Sequence, residues 1–110
     1  MTKPNKHKTV AQKARAEALK EFGCIVAYLK PQFAYQCCGR LTEHHTHVGG
    51  SRPGRSAFRN HDKIIILCWK HHQGDLGLDP PYGMGTLKWE KMFGSEDYYL
   101  EESNNLLEGL

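Results

Sequence analysis

His61-Asp62-Lys63-Ile64-Ile65-Ile66-Leu67-Cys68-Trp69-Lys70-His71-His72-Gln73-Gly74 is the stretch that decides the fold. Ile64 to Leu67 are uncharged, apolar and mostly β-branched, which predicts a short buried strand. A helix is expected to begin near Trp69 and to carry His71 and His72. Gly74, Gly77, Pro80, Pro81, Gly83 and Gly85 then break the pattern into a loop. Cys68 and His71 have the Cys-x-x-His spacing. Two such ligands, one at a strand end and one in the next helical turn, can reach the same tetrahedral ion, and zinc suits thiolate with imidazole.

Upstream, Leu41 to Val48 reads as the partner strand, and it carries His44, His45 and His47. The loop from Gly49 to Asn60 holds Arg52, Arg55 and Arg59 among Gly, Ser and Pro. Residues 24–40 read as an irregular knuckle with Cys24, Cys37 and Cys38. Cys24 has Ala27 where a Cys-x-x-Cys partner would stand, so the fourth zinc ligand falls to Cys37 or Cys38. Cys38 is preferred, because Cys38–Gly39 lets backbone amides turn toward the sulfur, and Cys37 is the alternative. Residues 9–22 are expected to form a helix that Thr9 caps and Gly23 ends, with Val10, Ala14, Ala18 and Phe22 on its buried face. Helices near 86–93 and 96–108 finish the chain. Trp69, Trp89, Phe93, Tyr98 and Tyr99 are expected in the core. The expected class is α+β: a small zinc-stapled domain flanked by helices.

Length and charge narrow the function. The chain has 110 residues, enough for one small domain. Its uncharged apolar runs, at 24–29 and 64–69, are far shorter than the roughly 20 residues that span a bilayer. No membrane partner is expected, and the charged start, without a signal-peptide core, points to the cytoplasm. In that reducing compartment four Cys and seven His, six of the His between positions 44 and 72, read as metal binding rather than disulfides. Residues 1–20 form a basic arm and helix: Lys3, Lys6, Lys8, Lys13, Arg15 and Lys20 stand against Glu17 alone. Residues 21–110 carry nine basic and eleven acidic residues. Lys3, Lys6, Lys8, Lys13, Arg15, Arg52, Arg55 and Arg59 are therefore the candidate phosphate contacts to DNA. His7 reads as an ordinary surface residue.

The His pair, the His ahead of a β-branched strand and the His inside a helix resemble the layout of HNH (His-Me finger, ββα-metal) endonucleases. The run from His61 to Gly74 is more specifically similar to the phage-type recombination-enhancement (Ref) nucleases, described as RecA-dependent. It resembles their pattern of a His ahead of Leu-Cys-x-x-His-His-x-Gly. Gly23-Cys24-Ile25-Val26 and the tail Trp89-Glu90-Lys91-Met92-Phe93-Gly94-Ser95-Glu96 resemble the family as well, so the likeness covers about residues 20–108, and residues 21–110 are expected to form the nuclease domain. The resemblance implies a ββα-metal unit in which His44 and His72 hold a catalytic divalent ion. It makes His45 the general base, and His61 the residue that orients the base strand. Cys24, Cys38 (or Cys37), Cys68 and His71 would hold a structural zinc. It also implies a phage or prophage role in recombination or DNA processing, with a RecA-type filament as partner.

The chemistry is consistent with that implication. Phosphodiester hydrolysis needs a base for the attacking water and positive charge at the phosphoryl and leaving oxygens. A neutral imidazole suits the base. An ion held by two imidazoles keeps positions open for phosphate and water, and Mg, Mn, Ni or Zn could serve. On a strand His44 and His45 face opposite ways, so one can ligate while the other takes a proton. The same alternation puts His47 beside His45 as a rival base. The second function class is a non-catalytic zinc-ribbon-like DNA-binding or adaptor module. A third is an assembly protein whose contact is the acidic C-terminal helix.

Overall fold

The computed structural model describes residues 8–46, 61–78 and 83–109. The element order is α1 (Val10–Lys20), α2 (Ile25–Leu29), a 3-10 turn (Pro31–Gln36), β1 (Leu41–His45), a second 3-10 turn (His61–Lys63), β2 (Ile64–Cys68), α3 (Trp69–His72), α4 (Thr86–Phe93) and α5 (Glu96–Glu108). His7, His47, the arginine loop with Arg52, Arg55 and Arg59, and the arm residues Lys3 and Lys6 lie outside the described residues.

β1 and β2 pair antiparallel, with Leu41 opposite Cys68, His44 opposite Ile65 and His45 opposite Ile64. All five residues of β2 are buried, because helices cover both of its faces. Ile64 and Ile66 pack with Ala16 and Leu19 of α1. Ile65 and Leu67 face the larger cluster of Val26, Leu78, Trp89, Phe93, Tyr99 and Leu100. This is why β2 reads as a continuous apolar run instead of an alternating one. It passes directly into α3, whose last residue, His72, is braced from below: a Cβ at Gly77 would meet the His72 carbonyl carbon at 2.4 Å.

Thr9 caps α1 as expected, in a capping box with Gln12. The buried face is a different one. Val10 is 86% exposed and Ala14 is exposed, while Ala16 and Leu19 are buried. Alanine carries little burial information, so a stripe with two of them did not fix the helix rotation. Leu19, the largest aliphatic side chain of the helix, did. That rotation turns Arg15 inward. Its Nη1 donates to the Ile64 carbonyl oxygen at 3.0 Å and its Nη2 to Asn104 Oδ1 at 2.8 Å. Arg15 thus tethers α1 to β2 and α5. Lys13 is exposed.

Lys8 and Lys20 converge on Glu43 of β1, at 2.6 Å and 3.3 Å. Burial works against ionisation of Glu43, but hydrogen bonds and charge from Lys8 and Lys20 outweigh it and hold the carboxyl below its ordinary value. A carboxylate depressed on folding stabilises the native state above its unfolded pKa, and that stability is lost as pH falls through the folded value. Glu43→Gln is therefore expected to cost about 0.2–1 kcal/mol at pH 7. Paired urea titrations of variant and wild type should converge as the pH is lowered below the carboxylate range. A gap that persists there would remove the ion pair as the cause.

Residues 24–40 are more regular than the knuckle expected of them. Helix α2 and the 3-10 turn fold back on each other, and Gly39, at φ 84°, redirects the chain into β1. α4 and α5 span the expected residues. Gly94 separates them, and Ser95 Oγ caps α5 by accepting from the Tyr98 amide at 3.1 Å. Of the aromatic residues expected inside, Trp89, Phe93 and Tyr99 are buried, whereas Trp69 and Tyr98 are exposed. Among the described residues no helix is long and apolar enough to cross a membrane.

Candidate metal centre

Four segment ends bring four donors together. Cys24 precedes α2, Cys37 follows the 3-10 turn, Cys68 ends β2, and His71 sits in α3. Their donor atoms all lie within 4.8 Å of one another. His71 Nδ1 is 3.2 Å from Cys68 Sγ, 3.5 Å from Cys24 Sγ and 3.8 Å from Cys37 Sγ. A tetrahedral zinc with bonds of about 2.3 Å to sulfur and 2.0–2.1 Å to nitrogen would set N and S about 3.5 Å apart. Three thiols and an imidazole at that spacing are close enough to bind a metal ion such as a structural zinc.

Cys38, the ligand preferred from sequence, is not part of this group. It is exposed, whereas Cys37 is half-buried and packs against the main core. Cys37 has extended backbone angles where the 3-10 turn ends, and on extended backbone successive side chains point opposite ways. One of the two cysteines must face out, and core packing selects Cys37 to face in. Gly39 serves the turn into β1. Ala27, where a Cys-x-x-Cys ligand would stand, packs against the core instead.

The thiols do not titrate alike. Hydrogen bonds from Cys24 and from the His71 backbone amide pull the Cys68 thiol well down against the effect of burial. Cys24, the partner in that bond, is pushed up by it and by burial. Cys37 is pushed up to about 11 by burial and by Cys68. Cys68 is thus the readiest thiolate, and a bound cation would draw protons from the other two.

The imidazole is held in ligating orientation from behind. His71 Nε2 lies 2.8 Å from Gln36 Oε1, so it donates there and Nδ1 keeps its lone pair toward the sulfurs. Trp89 Nε1 donates to the His71 carbonyl oxygen at 3.0 Å, and the Phe93 ring meets the His71 ring edge-on at 5.0 Å. Gln36 carries no recognisable signal in the sequence.

His72 points to the other side of α3. Thr42 Oγ1 donates its one hydrogen to the Leu67 carbonyl oxygen at 2.9 Å. Toward His72 Nδ1, 2.8 Å away, it must therefore accept. The neutral ring of His72 thus carries its proton on Nδ1 and its lone pair on Nε2, the reverse of His71. The His44 ring stands edge-on to it, centroids 4.9 Å apart. His44 is 2% exposed and His72 7%. His44 Nε2 lies 2.6 Å from Oε2 of Glu96, another buried residue. Sequence reasoning missed Glu96, because an acidic residue just after a Ser cap looks like a complement to the helix dipole. His45 is half-buried on the opposite face of β1. The side chain of His61 lies outside the described residues.

Comparison with known proteins finds no matching family model, no matching curated protein and no matching solved structure.

Proposed function

We propose that this chain is a metal-dependent DNA endonuclease of the HNH kind, built on a zinc staple. The observation that carries the reading is the approach of His44 and His72 to 4.9 Å between ring centroids, from a strand and a helix far apart in sequence. Further support comes from the succession of two antiparallel strands and a helix, and from the fixed tautomer of His72. The Cys24, Cys37, Cys68 and His71 cluster would take the structural zinc and lock α3 in place.

His44 and His72 are the residues that would hold the catalytic ion. When bound, that ion supplies positive charge against the oxygens of the scissile phosphate. His45, the neighbour of His44, takes the proton of the attacking water, and His61 orients the strand. Lys13 and the basic residues of the arm and of the 49–60 loop supply sequence-independent grip on the phosphate backbone. The substrate proposed from the family resemblance is single-stranded or recombination-intermediate DNA, with a RecA-type filament as partner.

The test is cleavage of plasmid and single-stranded DNA with Mg, Mn, Ni or Zn, with and without a recombinase filament. His45→Ala is expected to lower the rate by about 10²–10⁴-fold, the usual span for a general base, while melting and zinc content stay as in the wild type. DNA binding without cleavage under every ion would instead establish the adaptor reading, which needs only the Cys3His cluster.

A further inference from the structure

Glu96 is buried, and its Oε2 lies 2.6 Å from Nε2 of the equally buried His44. Taking a carboxylate out of water is costly, and apolar residues of similar volume often serve stability as well as a buried polar pair does, or better. Stability alone therefore gives little reason to keep it. The backbone that carries Glu96 is also held in place. Ser95 fixes the start of α5, and the Glu96 amide donates to Glu90 Oε2 at 3.3 Å.

We propose that Glu96 is a positioning residue for the His44–His72 site: by accepting from His44 Nε2 it fixes the ring so that Nδ1 is the nitrogen offered to a divalent cation. This rests on the nuclease reading of that pair. A carboxylate behind a ligating imidazole sets its tautomer and raises its basicity, and losing it typically costs 10–100-fold in metal affinity. Thr42 does the corresponding work for His72, and Gln36 for His71. His44, His71 and His72 thus each have an oxygen acceptor on one ring nitrogen, and that of His44 is a carboxylate.

Zinc added to ¹⁵N-labelled full-length protein beyond its first equivalent is the probe. Imidazole ¹⁵N shifts should show His44 protonated at Nε2, with the added zinc perturbing Nδ1. Calorimetry on Glu96→Gln should show the second equivalent binding 10–100-fold more weakly, with the first equivalent and the melting curve unchanged. A perturbation at His44 Nε2, or unchanged affinity in Glu96→Gln, would overturn the role of Glu96. If that variant does not fold, the wild-type nitrogen shifts decide alone. A wild type that takes no second equivalent and cuts no DNA would sink the nuclease reading and this inference together. A wild type that does both, beside a variant of equal affinity, would sink only the inference.

Discussion

Stripping zinc from the Cys3His cluster of zinc-loaded protein is expected to unfold the domain. Structural zinc contributes an apparent 10–16 kcal/mol in small zinc-binding peptides, against a total stability of about 5–15 kcal/mol for a typical domain. The four ligands come from the start of α2, the end of the 3-10 turn, the end of β2 and the body of α3, so removing the ion releases four segments at once. Two buried thiols, the half-buried Cys37 and a buried imidazole would be left facing one another. A strong chelator should abolish the cooperative melt followed by circular dichroism, and added zinc should restore it. Cys37→Ser should lose the ion, whereas Cys38→Ser should keep it, because the Cys38 side chain is exposed. A chelated protein that melts like the untreated one would dismiss the staple. Loss of the ion in Cys38→Ser with retention in Cys37→Ser would reverse the ligand assignment.

Trp89→Ala should be the most damaging single substitution away from the ligands. Trp89 is fully buried and packs against Phe93 and Tyr99 at centroid distances of 5.3 and 5.6 Å. Emptying such a site costs about 3–5 kcal/mol. For a chain of this size that is a fall in Tm on the order of 20 °C. Trp89→Phe separates two contributions. It keeps a ring but removes the N–H that serves the His71 carbonyl, which is worth about 1 kcal/mol. Phe is therefore expected to be milder than Ala, yet to weaken zinc retention, since it frees the backbone of a ligand. Equal melting of Trp89→Phe and wild type would show that the hydrogen bond contributes nothing.

How far the sequence could be read depended on which physical signal each part carries. β2 and the two C-terminal helices were legible, because an uncharged β-branched run, a Ser cap and a Gly break act locally. Cys68 and His71 were legible because both ligands lie on one strand–helix junction. The third thiol was not. Choosing between Cys37 and Cys38 depends on which faces the core, and that is settled by packing against elements remote in sequence. The rotation of α1 failed for the same reason, since its alanines say little until β2 is laid against them. Glu96 and Gln36 were hidden because their partners, His44 and His71, lie 52 and 35 residues away, and no local pattern links them.

Helix α3 spans only Trp69–His72, and its two adjacent imidazoles leave the axis about 100° apart, as consecutive residues on an α-helix must. One side serves the sulfurs and the other serves His44. A single helical turn has no slack between its two faces, so the pair behaves as a two-ended lever: any insertion, deletion or twist that retunes one end displaces the other. A one-residue insertion between Cys68 and His72 is therefore expected to disturb both ends at once.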